Sequence, residues 1–500
     1  MQQYYLSVDK GSTNLKVVLF DEQLNQVYVL SQPNITLTPE DGWREFELEQ
    51  AWQHLCDLIR TTVTDFCRPD QIKAVSFSSH GNGLIMLDAN GEACMNGIYS
   101  LDNRAFDVFT QWQQAGLVDK ACEQIRFRFD HGSVMPLYAW VSQNRPSIHS
   151  EVAHVLFPKD WLRFRLTGEL ASDYTDASGT GVLHHENQTY ASDVFALLGI
   201  ADLGEKLLPL KSATDQAGVV TSKAAQECGL IAGTPVFVGA HDLCVTPAGV
   251  ADSSETTLSS AFGTWSISTF IVESTPEIPL IINHAIPGLF ISGVGDGNAG
   301  AAFDTMLSLC FQDYLADHEA GISDIHARVE QDVDPEARNS LLFVPHLFGS
   351  AIDTSATASL LGLKAHTSRA EILKSVIEGI VLGYYYNLSL FPQMASIDKI
   401  WLTGGGSLSN VIPQIMADVF QCPVFTSLDH EVTARGAAVC AQLGLGEIHS
   451  LDEAKPPRIR KHFKPNVQLQ RYYQSKASML AEAIGSQKQL SQGLATLINQ

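Results

Sequence analysis

Tyr4-Tyr-Leu-Ser-Val-Asp-Lys-Gly-Ser-Thr-Asn-Leu-Lys-Val-Val-Leu-Phe20 is the stretch on which the fold class turns. It begins and ends in residues that favour pleated backbone, and Lys10-Gly-Ser interrupts the run, so it predicts two strands joined as a hairpin. Asp21-Glu-Gln-Leu-Asn25 predicts the next turn. Leu48, Ala51, Trp52, Leu55, Leu58 and Ile59 then recur at helical spacing within 47–65, and Ile72-Lys-Ala-Val-Ser-Phe77 predicts a strand. Strand and helix patterns alternate, which argues for α/β layering.

The hairpin pattern returns about half a chain later, at Thr257-Leu-Ser-Ser-Ala-Phe-Gly-Thr-Trp-Ser-Ile-Ser-Thr-Phe270. The repetition predicts a second domain built like the first. A short polar stretch, Ala251-Asp-Ser-Ser-Glu255, separates the two patterns, so the expected domains are 1–251 and 252–500. Further on, a strand is expected over 341–345, a helix over 369–388, a strand over 400–403 and a helical tail from Tyr472. A chain of 500 residues is too long for one ordinary core and suits this division.

Lys and Arg number 32 against 55 Asp and Glu, a net charge of -23 that repels phosphate backbones and anionic lipid. Nucleic acid and membranes are therefore not expected partners. An anionic ligand has to be held locally instead, by backbone N–H groups, a Lys and a metal. The 9 cysteines are scattered without a C-x-x-C pair, which reads as free thiols in a reducing compartment, and no Cys/His cluster has zinc-ligand spacing. The start, MQQYYLSVDKGS, has no basic stretch followed by an apolar run, and no apolar run is long enough to span a bilayer. The expected location is the cytoplasm.

Three segments carry chemistry. In Asp9-Lys-Gly-Ser-Thr-Asn-Leu-Lys16, Gly11 allows a tight turn, and the N–H groups of residues 11–13 with the Ser12 and Thr13 hydroxyls can point at a phosphate. Asp9 would then face an accompanying metal through water. Without a ligand the same residues make a plain hairpin with a surface Asp and Lys. In Gly233-Thr-Pro-Val-Phe-Val-Gly-Ala-His-Asp242, the strand Val236-Phe-Val238 delivers Asp242 at its carboxyl end, where ligands bind in open α/β sheets. A carboxylate there can take a proton from an attacking hydroxyl, or can cap a helix. Gly404-Gly-Gly-Ser-Leu-Ser-Asn410, between a strand and a helix over 411–420, lets a flat base or ribose lie against bare backbone, or is a flexible loop.

In this order the three segments resemble the FGGY family of carbohydrate kinases, a branch of the actin-like ATPases, from about Tyr4 to about Leu445. A second family signature is present in full as Ala358-Ser-Leu-Leu-Gly-Leu363, seven residues, then Glu371-Ile-Leu-Lys-Ser-Val-Ile-Glu378. Asp160-Trp-Leu-Arg-Phe-Arg-Leu-Thr-Gly168, Leu342-Phe-Val-Pro345, Ala417-Asp418 and Arg435-Gly-Ala-Ala438 are also family-like. The resemblance implies two actin-like (ribonuclease H-like) α/β domains with a cleft between them. It also implies ATP-dependent phosphorylation of a sugar hydroxyl, with magnesium, and a homodimer. Position by position, it makes Asp242 the general base, and Asp9 with Asp242 the acids near the magnesium. Gly11, Ser12, Thr13 and Lys16 become the first phosphate loop and Gly263 with Thr264 the second. Gly405, Gly406 and Asn410 become the adenosine pocket.

The departures bear on substrate. Ser133-Val-Met-Pro-Leu-Tyr-Ala-Trp140 keeps Pro136 and Trp140 of the first family signature but has Leu137 where the pattern has Lys. Lys10 and Ser12 alter the first turn, and Trp265 follows Gly263-Thr264 where Ser is usual. Sugar-facing candidates are His80 and Gly81, in Ser79-His-Gly-Asn-Gly83, with Asp102 and Arg104, in Ser100-Leu-Asp-Asn-Arg-Ala105. Arg104 could grip a substrate carboxylate bidentately or pair internally with Asp102. These features resemble the L-xylulose and 3-keto-gulonate kinase branch, so the expected substrate is a ketopentose or keto-sugar acid. D-xylulose, gluconate and other polyols are alternatives. An inactive sugar- or nucleotide-binding regulator is the alternative of another class.

Overall fold

The computed structural model describes residues 2–274, 280–315, 322–350 and 356–498. The first hairpin forms as β1 (Tyr4–Lys10) and β2 (Asn14–Asp21), followed by β3 (Gln26–Pro33). β4 (Ile72–Ser79), β5 (Gln216–Val219), β6 (Pro235–Phe237) and β7 (Ala240–His241) complete a seven-stranded sheet. Its order is β5-β6-β4-β1-β2-β3, with β7 also on β4. β1, β2 and β3 are antiparallel, while β4 runs parallel to β1, and β6 and β7 run parallel to β4.

The second hairpin forms as β8 (Thr257–Phe262) and β9 (Ser266–Val272), followed by β10 (Phe290–Asp296), β11 (Lys399–Thr403), β12 (Val424–Ser427) and β13 (Ile459–Phe463). These strands run in the order β10-β9-β8-β11-β12-β13, with β8, β11 and β12 parallel. The core order third-second-first-fourth, continued by a further parallel strand, therefore occurs twice.

The chain divides into two compact units: 1–253, 271–292 and 431–457 form the first, and 254–270, 293–430 and 458–500 the second. In the first unit both faces of β1 are covered, which is why Tyr4, Tyr5, Leu6 and Val8 put apolar side chains on both of them. Leu6 and Val8 pack with Val17, Leu19, Trp52, Leu55 and Ile59, the last three from helix Leu48–Asp65. On the other face Tyr5, Val18 and Phe20 meet Ala434, Ala438 and Ala441 of helix Val432–Gly444. Small residues bring that helix into backbone contact with helix Asp242–Val250. A Cβ on Gly436 would stand 2.0 Å from the Val245 carbonyl oxygen, and one on Gly249 2.0 Å from that of Val432. Arg435, buried between them, donates to the carbonyls of Leu24, Gly249 and Lys455. The family-like Arg435-Gly-Ala-Ala438 is thus the packing face that fixes the Asp242 helix.

The strand expected over 236–238 forms as β6 and ends before Gly239, as expected. The addition is the short β7 beyond it, because Gly239 turns through φ 72° and closes on β4, where a Cβ would lie 2.0 Å from the Phe77 carbonyl oxygen. All nine cysteines are free. Among the described residues no helix is long and apolar enough to cross a membrane.

Candidate active site

Register places the acids of the first unit. Asp9 pairs with Ser78, and Ser78 with Ala240, so β1, β4 and β7 end side by side at their carboxyl edges. Asp242 follows β7 directly and opens its helix; His241 is the cap residue, with no side-chain cap bond, so Asp242 is not the N-cap. The Asp242 side chain is 37% exposed, and its Oδ1 lies 3.3 Å from His241 Nε2 and 2.6 Å from the Leu243 N–H. The surrounding protein desolvates it and pushes its carboxyl above the ordinary range, against the pull of His241. Burial lowers the His241 pKa, so this neighbour is a neutral imidazole near pH 7. Asp9 is pushed up to about 6 by burial, with the Asp242 and Glu431 carboxylates adding to it and Ser78 and Lys16 opposing. Ser78 Oγ donates to Asp9 Oδ1 at 2.8 Å.

The turn that follows Asp9 is held by a residue that sequence reasoning missed. Asn34 Nδ2 donates to the carbonyls of Gly11 and Ser12 at 2.8 and 3.0 Å, and its N–H to that of Thr13 at 2.8 Å. The carbonyls of the turn are tied back by this one residue. Lys16 is engaged by Glu431 at 2.7 Å, a partner more than 400 residues away.

A buried polar network lies under His241. Thr175 Oγ1 accepts the His241 N–H at 2.9 Å and donates to Asp173, whose other oxygen meets Lys159. Asp160, Asp173 and Asp176 bring carboxylate oxygens together as a metal site would, but the Lys159 ammonium pairs with all three. Burial opposes the Lys159 charge, and the three carboxylates override it, so its pKa is raised. Nothing in the local sequence pairs Lys159 with Asp173 and Asp176; the fold does.

The sugar-facing candidates gather near this edge. Gly81 is required by contact, since its Cβ would lie 2.2 Å from His241 Nε2. His80 is buried, its Nδ1 is 3.3 Å from the Gly81 carbonyl, and its Nε2 has no partner. Burial lowers His80 to about 3, so the ring is neutral, and a proton on Nδ1 leaves Nε2 as an acceptor. Ser79 Oγ and Asn82 Oδ1 are likewise buried without partners. Asp102 and Arg104 pair with each other: Nε to Oδ1 and Nη2 to Oδ2, both at 2.8 Å. Arg104 Nη2 also reaches Glu45 at 2.7 Å, and its guanidinium carbon lies 4.0 Å from the Trp43 ring centre. Of the two readings of Arg104, the internal ion pair is the one formed.

In the second unit, Gly263-Thr264 connects β8 to β9 and Gly404–Gly406 follows β11. Ala261 pairs with Thr403, so the two loops leave neighbouring parallel strands. The Gly263 and Thr264 carbonyls accept from the N–H groups of Gly300 and Ala301 at 3.0 Å. Gly404 has φ 78°, and a Cβ on Gly406 would stand 2.5 Å from the Phe262 ring, so packing on Phe262 contributes to the run of glycines. Arg460 pins this loop by donating to the Ser407 and Leu408 carbonyls, each at 3.0 Å. Asn410 bonds Glu330 through its N–H and Nδ2 at 2.6 and 2.8 Å.

A sheet order of this kind, present twice, with acids and glycine turns at the carboxyl edges, defines an actin-like two-domain protein of the kinase class. Residues 4–249 match the N-terminal domain and 258–445 the C-terminal domain of the FGGY family of carbohydrate kinases. The chain belongs to that family and is a carbohydrate kinase. It is 28% identical over 461 residues to the L-xylulose/3-keto-L-gulonate kinase of Escherichia coli (strain K12), covering 91% of each chain. The crystal structure of ligand-bound xylulose kinase from Lactobacillus acidophilus has the same fold, with TM-score 0.87 at 23% identity over 97% of this chain and 98% of that one. So has gluconate kinase from the same organism, with TM-score 0.86 at 23% identity and the same coverage.

Proposed function

We propose that this kinase transfers the γ-phosphoryl group of ATP to a hydroxyl of a ketopentose or keto-sugar acid, with Asp242 taking the hydroxyl proton. The observation that carries the reading is an exposed-edge carboxylate, paired with no Lys or Arg among the described residues and raised by burial. It stands beside a row of partnerless polar atoms at Ser79, His80 and Asn82. A polyol supplies the donors and acceptors that such atoms lack. A raised carboxyl suits a base that must accept a proton and release it again near neutral pH. His80 Nε2 would accept a sugar hydroxyl, and the Lys159–Asp173–Thr175 network would hold the His241 backbone so that Asp242 keeps its aim.

In this reading residues 1–251 bind the sugar and carry the base, and 252–500 supply nucleotide contacts. Gly11, Ser12 and Thr13 with Gly263 and Thr264 bind phosphate through backbone N–H groups. Gly405 and Gly406 offer backbone to the adenosine, next to Asn410. Asp9 and Asp242 fit a hydrated magnesium ion, because burial makes both costly to ionise and the Asp242 charge adds to the cost at Asp9, with Lys16 already given to Glu431. When bound, the ion supplies charge neutralisation for the nucleotide phosphates. The nine free cysteines support a reducing compartment, and we assign the cytoplasm on that ground.

The test is ADP release from ATP and magnesium across ketopentoses, aldonic and keto-sugar acids and polyols, with Asp242→Asn as the blank. The expected result is one strong acceptor lost in the variant. ATP binding without transfer to any member would overturn the reading.

A further inference from the structure

Among the cations near the sugar-facing segment, Arg104 is charge-paired with two carboxylates through Nε and Nη2, and only its Nη1 is left without a partner. Lys10 is in the opposite condition. Its side chain is buried, and its ammonium lies 5.2 and 5.3 Å from the ring centres of Phe46 and Tyr99. It makes a single hydrogen bond, to the Tyr99 hydroxyl at 3.3 Å, and no ion pair with any described residue. Lysine has three N–H donors, so two are left over. Two ring faces attract a cation but do not replace a lost hydration shell. At the equivalent place in the second hairpin, one residue before the turn glycine, stands Phe262. A buried amino group with no ion pair among the described residues therefore occupies a position where the repeat accepts an apolar side chain. Burial lowers its pKa to about 7, with the Asp9 charge opposing, so a bound anion would favour its charged form.

Its surroundings are those of the sugar-facing segment. The Lys10 carbonyl accepts the His80 N–H at 3.0 Å, and the Tyr99 ring lies 5.5 Å from that of His80. His80 offers a free acceptor nitrogen while Lys10 offers free donors. Resting on the sugar-kinase reading above, we propose that Lys10 is the cation that recognises the substrate, and that the substrate is a keto-sugar acid whose carboxylate takes its two free N–H groups. His80 Nε2 would accept a neighbouring hydroxyl of the same molecule. Lys10 is then a specificity-determining residue, and Arg104 keeps the segment 43–46 in place behind it.

The experiment compares kcat/KM of wild type, Lys10→Met and Lys10→Gln on the anionic probes 3-keto-L-gulonate and D-gluconate and on the neutral probes L-xylulose and D-xylulose. Calorimetric titration of the same four sugars without ATP accompanies it. Wild type is expected to favour an acid. In both variants the acid-to-neutral ratio of kcat/KM should fall about a hundredfold, through KM, as for removal of one partner from a buried charge pair. Heat of binding of the acid should disappear, while the melting temperature of Lys10→Met holds or rises because a buried charge has gone. Equal losses on acids and neutral sugars, or none, would make Lys10 a structural cation and overturn the proposal. A wild type that binds and phosphorylates only neutral ketoses would also overturn it and leave the kinase reading intact. A wild type that binds an acid but phosphorylates none of the four sugars would instead count against the kinase reading.

Discussion

The two hairpins are built alike and furnished differently. Both end a central strand in a glycine turn, Asp9-Lys10-Gly11 in the first and Ala261-Phe262-Gly263 in the second. Both turns have their carbonyls tied back, the first by the Asn34 side chain and the second by the N–H groups that open helix Gly300–Cys310. Where the first unit has Asp242 after its last parallel strand, the second has Asp429 after β12. The Asp429 carboxylate is paired with Arg458, and its backbone N–H donates to the Ser427 hydroxyl at 3.0 Å. Asp242 has only a neutral His. One frame thus yields a set of uncompensated acids in the first copy, suited to proton transfer, and a surface of glycine and small residues in the second, suited to a nucleotide. The repeated strand order supplies the same scaffold twice, and the ion-pair partner distinguishes the two carboxylates.

The largest effect that sharpens this contrast is at the two acids. Asp242→Asn should lower kcat at least about a hundredfold with ATP affinity retained, and Asp429→Asn should leave kcat within about threefold. Comparable losses in both would break the contrast. Next come the glycine loops. A Cβ on Gly263 meets nothing closer than the Trp265 carbonyl oxygen at 3.6 Å. Gly263→Val should therefore keep the melting temperature and weaken ATP binding about tenfold, seen by titration. Gly406→Ala presses on Phe262 and should cost about 1–3 kcal/mol in denaturant unfolding. An unchanged ATP affinity in Gly263→Val would remove the second phosphate loop from the account.

The second unit also holds a lone carboxylate away from its strand ends. Asp418 is buried and accepts from the Asn466 N–H at 2.6 Å and Gln414 at 3.0 Å, while its Oδ2 has no partner. Burial raises it from 3.8 to about 6. A carboxyl raised on folding favours the folded state when protonated, so its contribution is fully present below about 3.8 and is lost as pH rises through 6. Asp418→Asn should then stabilise by about 1–3 kcal/mol at pH 8, and the gain should shrink as thermal melts are run from pH 6 down to 4. A gain independent of pH would contradict the assignment. The smallest effect is the stability change of Asp429→Asn, about 1 kcal/mol, because Arg458 is 46% exposed and water takes up part of its charge.

Local chemistry made the frame legible and tertiary pairing hid the rest. Glycine turns between β-formers marked both hairpins, and helical spacing marked the helices Leu48–Asp65 and Arg369–Leu388. Asp242 could be read because a strand and small residues lead straight into it. The ion pair of Lys16 could not be read, since its partner Glu431 arrives from the far end of the chain. For Arg104 the internal pair with Asp102 was one of two readings open from the sequence, while its further contact with Glu45 depends on a fold-back of 59 residues. Lys10 looked like a turn residue, and only the packing of Phe46 and Tyr99 around it makes it a buried cation. The short β7 beyond Gly239 needed the close approach of Phe77, which no spacing in the sequence announces.

The most direct test of the central claim is to follow phosphorus itself. The best acceptor sugar would be incubated with ATP and magnesium, and the products resolved by phosphorus NMR for wild type and Asp242→Asn. The account predicts a single sugar phosphomonoester in wild type, equal in amount to the ADP formed, and at most about a hundredth of that rate in the variant. ADP with free phosphate and no sugar ester, or the same ester formed at the wild-type rate by the variant, would contradict it.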